Sequence, residues 1–113
     1  MKPEKSYLLD MLLSARKGIE FISNATEKAF LADEILQNAV IRIIIVTGEA
    51  ATRISDESKT KYSQIPWREI IGMRNILVHD YAKINLSQIW FTITNEIPKL
   101  IEHLESIVSI EDL

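Results

Sequence analysis

The sequence predicts an all-α fold, an up-down bundle of four helices, or five if residues 26–31 form a short helix of their own. Apolar residues recur at helical spacing in three long segments, and a fourth segment is apolar and bordered by good helix formers. The chain has 113 residues, 47% hydrophobic and 26% charged, which is typical of a folded globular protein. We expect one domain over residues 1–113.

The first predicted helix covers residues 5–24. Its apolar positions lie three or four residues apart, with Lys17, Glu20 and other polar residues between them, so one face is apolar and the other polar. The apolar face consists of Leu8, Leu12, Ala15, Ile19 and Ile22. This pattern predicts an amphipathic helix that packs against a core.

The second segment, residues 31–55, admits two interpretations. Its centre, VIRIIIV, is rich in β-branched residues and would suit a buried strand. The flanking stretches LADEILQNA and EAATRI are good helix formers, which favours one helix of about 20 residues over an isolated strand. Because this helix would be apolar all round, we expect it at the centre of the bundle.

The stretch SDESKTKYSQ, residues 55–64, is polar throughout and is predicted to be a loop. Proline suits the first turn of a helix, so the third helix is predicted to run from about Pro66 to His79 or slightly beyond. Glu69 then lies in its first turn, where the helix dipole favours an acid.

The fourth predicted helix covers residues 85–109. Asn85 suits the N-terminal cap, and Gln88, three residues later, completes a capping box. The apolar stripe of this helix continues past Pro98, so we expect the proline to kink the helix without dividing it.

The composition excludes several classes of function. A net charge of −3 and a pI near 5.4 argue against a nonspecific polyanion binder, and the absence of cysteine excludes disulfides, thiolate catalysis and cysteine zinc sites. No apolar run approaches the ~18 residues of a membrane span, so we expect a cytoplasmic protein with no membrane partner. The chain has no glycine-rich phosphate loop, and His103 lacks metal-ligand spacing, so we expect neither cofactor nor metal.

Four residues of the third helix form a polar strip, because at 100° per residue they fall within roughly 60° of one another. The strip consists of Arg68, Gly72, Asn75 and His79. Glycine costs a helix about 1 kcal/mol, so its presence indicates that another backbone or a ligand approaches closely. We therefore predict that the strip is a contact surface.

Arg74 lies off this strip, on the face that should pack against the core, and a buried guanidinium needs a partner. One interpretation is structural: Arg74 pairs with a buried acid such as Glu49, and His79 only makes a hydrogen bond at the helix end. The other is functional. Arginine binds phosphodiester oxygens, histidine exchanges protons near neutral pH and asparagine orients, so Arg74, Asn75 and His79 suit a phosphodiester substrate.

A single copy would not complete such a site, because Arg74 and His79 point about 140° apart on one helix. Two copies packed across Gly72 would place two arginines and two histidines around one cleft. We therefore expect a homodimer, and we expect a monomeric variant to be inactive.

The stretch RNILVHDY, residues 74–81, resembles the HEPN superfamily and, more narrowly, the HepT toxins of the HEPN/MNT toxin-antitoxin systems. The motif of those toxins is Arg-x4-His-x-Tyr, which Arg74, His79 and Tyr81 match in order and spacing. The likeness extends to QNAVIR (37–42), TGEAATRIS (47–55), IPWREIIGMRN (65–75) and WFTITNEIPKLI (90–101). This resemblance implies an all-α HEPN bundle and a homodimer with its cleft at the interface.

By analogy, the resemblance implies the toxin of a type VII-like system, a metal-independent endoribonuclease acting on tRNA or mRNA and not on DNA. His79 would be the acid or base in attack by the 2′-hydroxyl, and Arg74 would stabilise the charge on the phosphorane. Asn75 would support them. Asp80, where relatives often have glycine, is grouped with Asn75 as a supporting residue, although an acid there disfavours a nearby polyanion.

The partner that the resemblance implies is an MNT nucleotidyltransferase antitoxin, which would transfer AMP from ATP to Tyr81. A bulky anionic adduct two residues from His79 would occupy the site and repel RNA phosphates. A function of another class stays open: a noncatalytic subunit that docks onto the nucleotidyltransferase and presents substrate. Dependence of RNA cleavage on His79 distinguishes the two functions.

Overall fold

The computed structural model describes residues 2–109, and within them all regular structure is helical. The predicted all-α class is therefore confirmed, whereas residue 1 and residues 110–113 of the predicted domain lie outside the described part. The elements are α1 (Glu4–Phe21), α2 (Glu27–Leu31), α3 (Glu34–Ala51), α4 (Asp56–Lys61), α5 (Trp67–His79), a 3-10 turn (Tyr81–Lys83), α6 (Leu86–Phe91), a π-helical segment (Thr92–Glu96) and α7 (Ile97–Glu105).

The helix α3 lies at the centre of the bundle, with α1 and α5 as its main neighbours. The strand alternative for its β-branched centre is wrong, and the Asp33 carboxylate caps the helix by accepting from the backbone N–H of Leu36 at 3.1 Å. One detail differs from the prediction. α3 is not enclosed all round, because Arg42 is exposed and Ile45 and Val46 are only half-buried.

The core is formed mainly by α1, α3 and the C-terminal helices. α1 ends at Phe21, three residues before its predicted end, and α2 is the short extra helix that was predicted near residues 26–31. Phe30 of α2 is fully buried and packs against Trp90, with ring centroids 5.3 Å apart. Trp67 is also buried, and its indole Nε1 donates to the Tyr62 carbonyl at 3.1 Å.

The predicted loop at residues 55–64 is wrong, because a short helix, α4, covers Asp56–Lys61. The Ser55 hydroxyl caps it by accepting from the backbone N–H of Ser58 at 3.1 Å, while acids in its first turn and lysines in its last turn complement the helix dipole. None of its residues is buried, so this helix has no apolar stripe to reveal it.

The predicted fourth helix begins where expected, since the Asn85 side chain accepts from the backbone N–H of Gln88 at 3.1 Å. It does not run as one kinked α-helix. The turn before Pro98 widens into the π-helical segment Thr92–Glu96, and α7 then ends at Glu105, short of the predicted residue 109. Proline has no N–H and its ring clashes with the carbonyl four residues earlier, here that of Thr94, so a wider turn accommodates it.

None of the helices within residues 2–109 is long and apolar enough to cross a membrane.

Candidate active site on α5

The outer face of α5 carries the predicted polar strip. Arg68, Asn75 and His79 are all exposed, and a Cβ atom built on Gly72 would have no neighbour within 4 Å. The strip is therefore a free surface of this chain. No neighbouring element of residues 2–109 covers the open position at Gly72.

Arg74 turns the other way, toward α3. Its guanidinium Nη2 forms an ion pair with the Glu49 carboxylate, and its Nη1 donates to Asn75 Oδ1 at 2.8 Å. The structural interpretation of Arg74 is thus correct in naming Glu49 as a partner. Asn75 reaches from the strip to the guanidinium, so it connects the two faces of α5.

Gly48 is the residue that makes this contact possible, and the sequence analysis missed it. A Cβ atom at Gly48 would lie 2.4 Å from Arg74 Cβ and 3.2 Å from the Ile70 carbonyl oxygen, so α3 and α5 approach closely here. A close approach within one chain therefore occurs at Gly48, and the close approach predicted at Gly72 stays a prediction. A lone glycine in a helix rich in β-branched residues was the available signal.

The end of α5 separates His79 from the residues that follow it. The helix ends at His79, and the chain turns at Asp80, whose N–H donates to the Ile76 carbonyl at 2.9 Å. Tyr81 then begins a 3-10 turn instead of continuing the core face of α5, and its side chain is 74% exposed. The phenol is therefore accessible to a macromolecular partner.

The charge of Asp80 is partly offset. Its carboxylate forms an ion pair with Lys83 Nζ at 3.3 Å, one turn further along the chain. A lysine at this distance reduces the repulsion that an acid beside His79 would exert on a polyanion.

One copy of the chain does not bring the two principal residues together. Arg74 faces α3 with its side chain only 21% exposed, whereas His79 is exposed on the strip and forms no hydrogen bond or ion pair with other described residues. The predicted hydrogen bond of His79 at the helix end is thus absent from the described residues. That a second copy completes a site with both side chains stays a prediction.

The cleft beside α5 does not include Arg74 or His79. It measures about 250 Å³ and lies between α5 and the C-terminal helices. Within residues 2–109, no group of three or more His, Asp or Glu side chains is arranged to hold a metal ion. His103 is half-buried on α7.

Comparison with known proteins identifies the family. The family model "Ribonuclease HepT-like" matches residues 11–107, a region that includes α5 and the turn after it. The chain belongs to the HepT-like ribonuclease family.

Curated proteins match this HepT-like chain along most of its length. A Methanocaldococcus jannaschii protein named "Putative RNase" is 34% identical over 101 residues, covering 89% of this chain and 93% of the relative. Another protein with such a name, from Caldanaerobacter subterraneus subsp. tengcongensis, is 35% identical over 111 residues, covering 98% and 99%. The "Probable ribonuclease HepT" of Thermococcus cleftensis is 34% identical over 99 residues, covering 88% and 90%. No solved structure matches the HepT-like chain.

Proposed function

We propose that this protein is the toxin of a HEPN/MNT toxin-antitoxin system, a metal-independent endoribonuclease that uses Arg74 and His79. Membership of the HepT-like ribonuclease family and the names of the relatives support the ribonuclease class. The assignment of Arg74 and His79 as catalytic residues rests on one observation. His79 is exposed on the same face of α5 as the open position at Gly72, and Arg74 lies on the same helix. RNA is the substrate, either tRNA or mRNA.

The chemistry follows from these side chains. His79 takes the proton from the ribose 2′-hydroxyl, the 2′-oxygen attacks phosphorus, and the Arg74 guanidinium offsets the charge that develops on the phosphorane oxygens. The bond from phosphorus to the 5′-oxygen then breaks, and that oxygen takes a proton from a water molecule, a proton that the protonated His79 replaces. The products are a 2′,3′-cyclic phosphate and a 5′-hydroxyl end.

The arginine and the histidine of each site would come from different copies of the chain. Gly72 is open, and α5 also exposes two apolar side chains, with Ile76 42% and Val78 40% exposed. A surface with this composition suits a contact between two identical helices, in which each copy covers the other. Asn75 of the strip accepts from Arg74 Nη1, so the guanidinium lies at the edge of this surface, and the homodimer would place His79 of each copy near Arg74 of the other.

Control by a nucleotidyltransferase antitoxin of the MNT type is the second part of the proposal. The 74% exposure of Tyr81 allows such an enzyme to reach the phenol and transfer AMP to it. The adduct would lie two residues from His79 and repel the phosphates of RNA. Tyr81 is therefore the proposed point at which the toxin is neutralised.

The test compares RNA cleavage by the wild type with that by His79→Ala, using the chain expressed without its partner and assayed on total RNA and tRNA in EDTA. Intact mass first verifies that Tyr81 carries no adduct, and the same measurement after co-expression with the partner tests the AMP transfer. We expect His79→Ala to lower the cleavage rate by about 100-fold or more, since general acid-base catalysis contributes about that much.

The matched control is His103→Ala, which removes the other histidine of the chain. His103 lies on α7 and has no part in the proposed site, so its loss should leave cleavage unchanged. Equal cleavage by the wild type and His79→Ala, or none by either, would contradict the proposal. Those results would favour a noncatalytic subunit in which Arg74, Asn75 and His79 only recognise a partner.

A further inference from the structure

The contacts of Arg74 involve a residue to which the proposed reaction gives no role. Glu49 of α3 forms the ion pair with the Arg74 guanidinium, and its own side chain is 45% exposed. The pair therefore lies where the contact between α3 and α5 reaches the surface. A carboxylate in direct contact with a catalytic guanidinium either holds that guanidinium in place or competes with the substrate for it.

The geometry around Arg74 favours holding. Gly48 has no side chain, so the stem of Arg74 lies directly against α3, and Nε is buried without a hydrogen-bond partner among the described residues. The terminal nitrogens are held on two sides, by Glu49 at Nη2 and by Asn75 at Nη1. These contacts fix both the position and the plane of the guanidinium.

The held guanidinium keeps donors free for a substrate. Arginine has five N–H groups, four of them on the terminal nitrogens. Glu49 and Asn75 each take a position on a different terminal nitrogen, so one N–H of Nη1 and one of Nη2 are left for phosphoryl oxygens. Donors on both terminal nitrogens of a fixed planar guanidinium suit a phosphate group, whose oxygens accept such hydrogen bonds.

The charge of Glu49 does not make the surroundings of Arg74 acidic. Arg53 lies one helical turn after Glu49. Its Nη2 is 3.9 Å from Glu49 Oε1, the carboxylate oxygen that Arg74 does not contact. Arg53 and Arg74 together carry two positive charges against the one negative charge of Glu49. The three side chains therefore keep a net positive charge, which a phosphodiester can approach.

We propose that Glu49 is a positioning residue for RNA cleavage, which acts by holding the Arg74 guanidinium through their ion pair. This inference rests on the proposed ribonuclease function. Without the carboxylate, the flexible arginine side chain loses the contact from α3 and is free to leave its position. Misplacing a catalytic group by about 1 Å can lower a reaction rate about 100-fold. We therefore expect kcat to fall when the Glu49 carboxylate is removed.

The experiment measures kcat and KM for RNA cleavage with Glu49→Gln and Glu49→Ala. We expect kcat to fall about 10-fold for Glu49→Gln, which still offers an oxygen to Arg74, and up to about 100-fold for Glu49→Ala, with a smaller change in KM. The matched control is Glu105→Gln, because Glu105 forms an ion pair of similar exposure with Arg16, at 2.7 Å, between α7 and α1. Its kcat should equal that of the wild type.

A double-mutant cycle separates positioning from a structural effect. If Glu49 acts through Arg74, then Glu49→Ala lowers kcat in the wild type and causes no further loss in Arg74→Ala. Additive losses would overturn the proposal, as would an unchanged kcat in both Glu49 variants. A rise in activity in Glu49→Gln would also overturn it, because the carboxylate would then be a competitor of the substrate.

The outcomes also separate this inference from the function on which it rests. Cleavage by the wild type that is lost in His79→Ala but unchanged in both Glu49 variants would refute only the role of Glu49. No cleavage by the wild type would refute the ribonuclease itself. Glu49→Gln has nearly the same shape as the native residue, so it serves if Glu49→Ala does not fold.

Discussion

Arg74 is held where α3 and α5 meet, and two glycines determine what each side of α5 contacts. Gly48 admits the stem of Arg74 into the contact with α3, while Gly72, on the outer face of α5, has no neighbour among residues 2–109. The same residue type therefore has two different uses. Gly48 serves the packing of one copy, and Gly72 leaves room for another molecule.

We predict that alanine at these two glycines has opposite effects on the free energy of unfolding. Gly48→Ala forces Cβ to within 2.4 Å of Arg74 Cβ, so it should lower the free energy of unfolding by about 1–3 kcal/mol. Gly72→Ala meets nothing in its own chain and should raise it by about 0.5–1 kcal/mol. Urea unfolding at low protein concentration measures both values, and a neutral Gly48→Ala would contradict the close contact of α3 with α5.

The sequence predicts which residues share a face of one helix, but not which residues of two helices contact each other. The spacing of α5 is sufficient to predict that Arg68, Asn75 and His79 share an outer face, because their angular positions depend only on helix geometry. The spacing does not identify which glycine is used for packing between helices. That depends on which helix packs against α5 and on the residues at which the two helices contact each other. Gly48 was missed for this reason.

At the scale of elements, the packing of α4 shows how a polar segment is tied to the bundle. Glu4, in the first turn of α1, accepts from the backbone N–H of Ser55 and, at 2.6 Å, from the Ser58 hydroxyl. These bonds fall at the N-terminus of α4, where the backbone N–H groups of a helix lack partners. The hydrogen bond from the Ser55 backbone, followed by that from Ser58, lowers the pKa of the Glu4 carboxyl below its ordinary value of 4.5.

We predict that the contribution of Glu4 to stability is lost in acid. Because the folded state lowers its pKa, the carboxylate stabilises the fold fully above pH 4.5, and this contribution disappears as the pH falls through the lower folded value. Glu4→Gln should therefore lower Tm at neutral pH, and the difference from the wild type should shrink in acid. Glu102→Gln, on the exposed side of α7, is the control. A Tm difference that does not depend on pH would contradict the assignment.

Helices with an apolar stripe were predictable from the sequence, whereas α4 and the π-helical segment Thr92–Glu96 were not. α1 was predicted because burial of an apolar face leaves a periodic pattern in the sequence, and α3 because good helix formers flank its apolar centre. α4 has no buried residue, and it is held by its serine cap and by Glu4, a residue more than fifty positions earlier. The π-helical segment Thr92–Glu96 keeps the apolar residues around Pro98 facing the core, so the stripe shows no break.

At the scale of the whole molecule, the net charge of −3 gives no general attraction for RNA. Affinity has to come from local cations, and Arg53 and Arg74, which both pair with Glu49, supply two of them. α5 rests mainly on α3 and leaves its outer face free. We propose that two copies of the chain meet at the outer face of α5 and together complete a site that one copy lacks.

The measurement that tests this claim most directly uses a heterodimer of two inactive variants. Arg74→Ala and His79→Ala are co-expressed with different tags, and the species that carries both tags is purified and assayed on RNA in EDTA. If each site takes its arginine from one copy and its histidine from the other, one of the two sites in the heterodimer is intact. We predict about half of the activity of the wild-type dimer.

Each variant alone, as a homodimer, should have about 100-fold less activity than the wild type and serves as the control. A heterodimer as inactive as its parents would contradict a site shared between two copies. Failure to obtain any species with both tags would contradict the dimer itself.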